Sequence, residues 1–247
     1  MPRRTPRDAR RRALGQNFLH DQSVVAEIIG TLHPPPGSLV VDLGAGAGAL
    51  TREAAARQAR VLAVELDPHY VHLLRSLAPG WGAVEVRAGD ALRVPFPTER
   101  FYLVSNPPYG IGTRLVRRIL SDAHGLVRGV VVLQRETALR LAGQGRFAAA
   151  WAPWFELSVQ GRIAPRAFRP APGVESALLT IVPRPVPLLS PAAFSGYDAF
   201  LSRVFSGRAP TLAQRLPAKA LRAAGIPRGA TPTSVAPEAY ARLYNAL

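Results

Sequence analysis

Asn106-Pro107-Pro108-Tyr109 sets a side-chain amide, two rigid prolines and a phenol ring within four residues. That set suits one chemical task, which is to hold a planar, weakly basic amine against a methyl donor. The exocyclic amine of adenine or cytosine is a poor nucleophile because its lone pair is delocalised into the ring. An Asn106 side-chain carbonyl and a neighbouring backbone carbonyl can accept both amine protons and favour the pyramidal nitrogen that attack requires. Proline has a fixed φ and no backbone donor, so Pro107 would present its carbonyl rigidly. Tyr109 would offer a ring on which a base stacks. The same four residues also suit a turn after a strand, where Asn and Pro are common, and taken alone they leave both readings open.

The stretch follows the apolar run Phe101-Tyr102-Leu103-Val104, which reads as a buried strand. It therefore sits at a strand's C-terminal end, where open α/β sheets keep their ligands. Three earlier strand ends also carry chemistry. Asp42-Leu43-Gly44-Ala45-Gly46-Ala47-Gly48-Ala49 joins a strand to a helix, and its glycines allow a tight turn and close approach of the backbone to a ligand. This string also satisfies Gly-x-Gly-x-x-Ala, so a nicotinamide dinucleotide competes for it. Glu65, about 20 residues on, fits either ligand as the acceptor for ribose hydroxyls. Gly89-Asp90-Ala91 ends the third strand, where the carboxylate can accept from an adenine amine or cap a turn. Glycines, Glu65, Asp90 and Asn106 at four successive strand ends make one continuous ligand edge, and a dehydrogenase has no use for the last of them.

The elements that must position these residues alternate from Ser38 onward, as in a parallel sheet covered on both faces. Strands are predicted at 39–43, 60–65, 84–88, 101–105 and 129–133, with helices through Arg57, from Asp67-Pro68, over 113–120 and over 136–141. Ahead of them, Val24 to Ile29 reads as an amphipathic helix that Asp21 or Ser23 could cap. The alternation then stops. Phe155–Ile163 and Ala177–Val182 are strands with no good helix between them, so an antiparallel pair is expected at the end of the sheet. Pro183-Arg184-Pro185-Val186-Pro187, with Pro191 and Gly196 beyond, looks like a linker. Helical spacing returns around Phe200 to Phe205, Leu212 to Leu221 and Tyr240 to Leu247. The expected division is a basic arm over 1–15, an α/β domain over 16–183, and a linker with a small helical domain over 184–247.

Charge agrees with a polyanionic partner. The 247 residues carry 31 Lys+Arg against 16 Asp+Glu, a formal net charge of +15, and nucleic acid is the commonest partner for such a surplus. All the basic residues but Lys219 are arginine, whose planar fork suits phosphates and base edges, although GC-rich coding gives the same bias. The absence of cysteine excludes disulfides, thiolate metal sites and cysteine nucleophiles. His69 and His72 stand three apart on a predicted helix with no third ligand nearby and read as helix surface; no metal is expected. No apolar run reaches the roughly 20 residues of a membrane span, and no apolar segment follows the basic N-terminus as a signal peptide requires. A cytoplasmic location follows by elimination.

Taken together, Gln16-Asn17-Phe18-Leu19, the glycine loop, Glu65, Asp90, the Asn106 motif and Phe168-Arg169-Pro170-Ala171-Pro172-Gly173-Val174-Glu175-Ser176 resemble the rRNA adenine N6-methyltransferase family. Trp151-Ala152-Pro153-Trp154-Phe155 and Phe205-Ser206-Gly207-Arg208 are similar to its 23S rRNA macrolide-resistance branch. The ending Tyr240-Ala241-Arg242-Leu243-Tyr244 is similar also to the small-subunit rRNA branch. Pro107 departs from the aliphatic residue usual there. The resemblance implies an α/β fold with a Rossmann-like class I methyltransferase sheet, mostly parallel, ending in the antiparallel pair, as the catalytic domain over 16–183, followed over 184–247 by a linker and a small C-terminal helical domain that binds RNA. It implies S-adenosylmethionine as cofactor, held by Gln16, Asn17, Leu19, Gly44, Gly46, Glu65, Asp90, Ala91 and Asn106. Catalytic roles fall to Asn106, Pro107, Tyr109 and Phe168, with Phe168 facing Tyr109 across the adenine; without the resemblance, Phe168 reads as a core aromatic. The implied activity is transfer of one or two methyl groups to an adenine of 23S rRNA by a monomer acting on unassembled or nascent large subunits, with antibiotic resistance as the outcome. Small-subunit rRNA methylation and a non-catalytic nucleic-acid-binding relative are the alternatives.

Overall fold

The computed structural model describes residues 17–207 and 209–247. The basic arm over 1–15, Gln16 and Arg208 lie outside the described residues. Contacts divide the chain into two units, whose described parts are 17–138 with 159–180 and 139–158 with 181–207 and 209–247.

The first unit opens with β1 (Phe18–Leu19) and α1 (Gln22–Leu32). Asp21 caps α1, its Oδ1 accepting from the Ser23 amide at 3.0 Å, and Val25, Ile28, Ile29 and Leu32 form the buried face. There follow β2 (Leu39–Leu43), α2 (Ala49–Ala56), β3 (Arg60–Glu65), α3 (Pro68–Leu77), β4 (Val84–Ala88), β5 (Phe101–Ser105), α4 (Gly112–Asp122) and β6 (Leu126–Gln134). The first four strands of this alternation have the bounds expected from their apolar runs. They are legible because strands covered on both faces are apolar throughout rather than alternating; all five residues of β2 are buried. Asp67 caps α3 by accepting from the His69 amide at 2.9 Å, and Pro68 takes the first helical position, where a missing amide is no loss.

The later elements are α5 (Arg135–Ala142), α6 (Arg146–Trp151), β7 (Phe155–Ile163), β8 (Phe168–Arg169) and β9 (Ser176–Pro183). Seven strands form one sheet in the order β4-β3-β2-β5-β6-β9-β7. β2 runs parallel to β3 and β5, β3 to β4, and β5 to β6. The strands anticipated as a closing pair, β9 and β7, are neighbours at one end. A separate antiparallel pair, β1 with β8, sets Phe18 opposite Arg169 and Leu19 opposite Phe168. Two residues are too few for a periodic pattern, so the sequence did not announce this pairing.

The second unit holds α7 (Phe194–Ser206), α8 (Ala218–Ala223) and α9 (Ala239–Asn245). It also takes in residues 139–158, which the expected division left in the catalytic domain. The ties are specific. Tyr197 Oη donates to the Ala149 carbonyl at 2.8 Å, Arg146 bonds Asp198 and Ser202, and Arg184 Nε donates to the Ala152 carbonyl at 2.7 Å. Gly196 is a residue of α7 rather than of a linker, and a Cβ there would lie 2.6 Å from Tyr244 Oη. The spacing from Leu212 to Leu221 does not give one helix. A short turn at Leu212–Gln214 and α8 stand apart with Pro217 between them, since proline cannot donate within a helix.

Candidate active site

The C-terminal ends of β2, β3, β4 and β5 converge. The Gly44 and Ala45 amides both donate to the Val64 carbonyl, at 2.9 and 3.0 Å, and the Gly89 amide donates to the Glu65 carbonyl at 2.9 Å. Gly44, Gly46 and Gly48 have φ of 76°, 54° and 83°, in the left-handed region that favours glycine. A Cβ on Gly46 would lie 2.8 Å from the Phe18 ring, and one on Gly48 would lie 2.7 Å from the Trp81 ring. At Gly44 a Cβ would meet nothing within 4 Å. Aromatic rings thus fill the space beside the second and third glycines, and room for a ligand remains at the first.

Glu65 is buried and heavily bonded. Its Oε2 accepts from the Gly46 amide at 2.7 Å, and its Oε1 accepts from the Leu66 and Asp67 amides, both at 2.8 Å. A carboxylate has about four acceptor sites, so one on Oε2 remains for a hydroxyl. Asp90 Oδ1 accepts from the Leu92 amide at 2.8 Å. Asp90 therefore caps a turn, one of the two roles open to it, and Oδ2 stands 3.7 Å from Arg93, leaving it able to accept from an amine. Ser105 Oγ donates to the Leu43 carbonyl at 2.6 Å, tying the end of β5 to the glycine loop. Asn106 Nδ2 then donates to the Asn17 carbonyl at 2.9 Å. That bond fixes the amide and leaves Oδ1 as its unused acceptor.

Asn17, Leu19, Gly44, Gly46, Glu65, Asp90, Ala91 and Asn106 line one cavity of about 860 Å³, its open mouth included. Gln16, assigned to the same ligand, is not among the described residues. The cavity offers a bare glycine backbone, an acceptor on Glu65 suited to hydroxyls and an acceptor on Asp90 suited to an amine. This set of acceptors fits the ribose hydroxyls and adenine amine of S-adenosylmethionine. Among the described residues no three His, Cys, Asp or Glu side chains gather as metal ligands, and no helix is long and apolar enough to cross a membrane.

A second cavity, of about 1620 Å³ with its mouth, shares Asn17, Leu66, Asp90, Pro108 and Ile111 with the first. Tyr109 lines it. The Tyr109 and Ser176 hydroxyls lie 2.7 Å apart, Ser176 is fully buried, and burial pushes the phenol pKa up, so Tyr109 stays neutral with its ring held in place. Pro107 is buried and lines neither cavity, whereas Pro108 lines both. Phe168 does not take the place expected for it opposite Tyr109. It is 1% exposed, lies in the core cluster with Val25 and Ile28, and lines neither cavity. The reason is local: β8 pairs with β1, the His20 amide donates to the Ala167 carbonyl at 3.0 Å, and an apolar ring so placed gains most by burial.

Two positioning residues are not legible in the sequence alone. Ser176, which orients Tyr109, ends the Phe168–Ser176 motif, whose pattern assigns no role to the serine. Arg118 of α4 fastens the loop behind Asp90, donating from Nη1 to the Ala91 carbonyl at 2.6 Å and from Nη2 to the Val94 carbonyl, with its guanidinium 4.2 Å from the Phe96 ring centre. Only their place near other motif residues hinted at either.

Asp42, at the end of β2, is 1% exposed. Its Oδ2 accepts from Thr51 Oγ at 2.7 Å, and its Oδ1 is buried without a partner among the described residues. Burial, reinforced by the charge of Glu65 and opposed by the Thr51 bond, pushes its pKa up to about 7. An unfolded aspartate titrates near about 3.9. Between those values the native state holds a proton that the unfolded chain has lost, so stability falls as pH rises through the window and levels off above it. The melting temperature of the wild type should therefore drop relative to Asp42→Asn between about pH 4.5 and about pH 7.5. Melting curves that keep a constant offset across that range would place the proton elsewhere.

A family model for ribosomal RNA adenine dimethylase matches residues 7–247. The chain is 37% identical over 229 residues to the mycinamicin-resistance protein MyrB of Micromonospora griseorubida, covering 87% of this chain and 70% of that protein. It is 34% identical over 231 residues to the ribosomal RNA small subunit methyltransferase A of Pelotomaculum thermopropionicum, covering 85% and 78%. The crystal structure of the 23S rRNA methyltransferase ErmE superposes with a TM-score of 0.84 at 33% identity, over 94% of this chain and 99% of that one. The strand ends that give a ligand edge to an α/β sheet are here joined to a family match spanning both units, and the chain belongs to the ribosomal RNA adenine dimethylase family of S-adenosylmethionine-dependent methyltransferases.

Proposed function

We propose that this chain methylates the N6 amine of an adenine in 23S rRNA, adding one or two methyl groups, and thereby confers macrolide-lincosamide-streptogramin resistance. The observation that carries the chemistry is the Asn106 amide, whose Nδ2 is committed to the Asn17 carbonyl at the junction of the two cavities. Likeness to MyrB and to ErmE supports the 23S substrate and the resistance outcome.

S-adenosylmethionine, when bound, supplies a methyl group on a sulfonium, reactive enough to need neither a metal nor a strong base. Glu65 and Asp90 bind its ribose and adenine. The target base leaves its stack at a cost of a few kcal/mol and lies against the Tyr109 ring, which Ser176 keeps in one orientation. Asn106 Oδ1 accepts one amine proton, which directs the nitrogen lone pair toward the methyl donor. A backbone carbonyl of the Asn106-Pro107 segment accepts the other. Once the nitrogen has bonded to carbon it is far more acidic, and its surplus proton leaves to water at the mouth of the second cavity. Catalysis is positioning plus fixed dipoles.

The RNA would be unassembled or nascent large-subunit rRNA in the cytoplasm, met by a monomer. Arginines of the arm over 1–15 and of the C-terminal helices would hold its phosphates, making binding strongly salt-dependent. A second reading, methylation of small-subunit rRNA, is favoured by the likeness to the Pelotomaculum enzyme. Expression in a macrolide-sensitive bacterium, followed by mass-spectrometric mapping of methylated adenines, tests both. A methylated 23S adenine with raised macrolide tolerance is expected. A new mark confined to small-subunit rRNA would replace the first reading with the second, and no new mark in either would refute both.

A further inference from the structure

We infer that the second cavity holds the nucleotide next to the target adenosine, with the Arg114 guanidinium on its phosphate and the Gln134 amide on its base edge. This rests on the RNA-methylating reading above. The cavity's empty space, its mouth included, is about twice that of the first, and the two lie side by side, sharing Asn17, Leu66, Asp90, Pro108 and Ile111. A base placed against Tyr109 therefore leaves room beyond itself, wide enough for the polynucleotide on one side of it to run through.

The side chains found there suit such a guest. Arg114, the third residue of α4, is exposed at the cavity and forms no ion pair or hydrogen bond among the described residues. Arg57, Arg60, Arg87 and Arg162 of the first unit each bond a carboxylate, whereas Arg114 stands on the cavity's lining without one. An uncommitted guanidinium at the mouth of a cavity matches a phosphate in charge and shape. Gln134, the last residue of β6, is half-buried on the same wall, and its side-chain amide also has no partner among the described residues. An amide carries donors and an acceptor side by side, the pattern that reads the edge of an unpaired base. Val174 and Leu66, 48% and 59% exposed on the cavity's lining, supply apolar surface for the base faces. Neither Arg114 nor Gln134 lines the first cavity, so their effects should fall on RNA and spare the cofactor.

The test is equilibrium binding of fluorescein-labelled RNA hairpins carrying an unpaired adenine, in the presence of S-adenosylhomocysteine, read by anisotropy over a range of salt. Arg114→Ala should weaken binding about tenfold and reduce the slope of log affinity against log salt by about 0.7, one phosphate contact on a single strand. Arg75→Ala, which removes an equal charge from α3, should leave the slope unchanged. Gln134→Glu and Gln134→Ala should alter the ranking of hairpins that differ only in the nucleotides flanking the adenine, by about fivefold or more, with S-adenosylhomocysteine affinity unchanged. An unaltered slope for Arg114→Ala, or an unaltered ranking for both Gln134 variants, overturns the inference. A wild type that binds and ranks the hairpins yet transfers no labelled methyl to rRNA would instead refute the proposed function alone.

Discussion

Asn106→Ala is expected to lower the single-turnover rate about a hundred- to a thousandfold while RNA affinity changes little. The magnitude is that of removing one preorganised partner from a site where charge shifts in the transition state, about 3 to 4 kcal/mol of barrier. The substitution removes the Oδ1 acceptor and the bond from Nδ2 to the Asn17 carbonyl. The second loss is mild, because Asn17 lines both cavities and its carbonyl can take a water in exchange. In the proposed complex RNA affinity would be spread over many phosphate contacts, none of which Asn106 would supply. Asn106→Asp separates the two effects. It keeps an acceptor for the amine but cannot donate to Asn17, so its rate should lie between wild type and alanine. Single-turnover kinetics with saturating RNA and cofactor, beside anisotropy on the same RNA, give both quantities. RNA binding that falls in proportion to the rate would remove Asn106 from the reaction and make it an anchor for the substrate.

What could be read in the chain before its folding was known depended on how far apart the interacting residues lie. β2, β3, β4 and β5 were legible because each is a continuous apolar run, and the residues just past each run had to lie on one sheet edge. Glu65 and Asp90 came into view through that rule and not through any local peculiarity. The ties that finish the site join residues 67 and 89 positions apart, Tyr109 to Ser176 and Asn106 to Asn17, and no local pattern encodes a partner at that range. Phe168 shows the opposite limit. A recognised motif suggested a ring open to the substrate, yet pairing of β8 with β1 places it in the core. Residues 139–158 were assigned by their position along the chain, whereas Tyr197, Asp198 and Arg184 draw them into the second unit. The break at Pro217 could have been read, since the missing amide there is a property of the residue itself.

Glu65→Ala should reduce both stability and cofactor affinity, because in the proposed role one buried carboxylate would serve the loop and the ligand together. Three backbone amides, from Gly46, Leu66 and Asp67, donate to it. A buried amide left without an acceptor costs about 1 to 3 kcal/mol. These three border a cavity that water can enter, so the combined loss should be about 2 to 4 kcal/mol rather than three full penalties. For a chain of this size that is a fall of roughly 5 to 15 °C in melting temperature. Affinity for S-adenosylmethionine should drop at least about tenfold, since the remaining acceptor on Oε2 goes as well, and the Gly46 turn loses the bond that holds it at positive φ. Glu65→Gln distinguishes the two roles. Its oxygen can still accept from Leu66 and Asp67, but its amide nitrogen would meet the Gly46 amide donor to donor. Stability should therefore recover in part while affinity stays low. Calorimetric titration with S-adenosylhomocysteine and thermal melts on the same samples measure both, and a Gln variant that binds as the wild type does would confine Glu65 to a structural part.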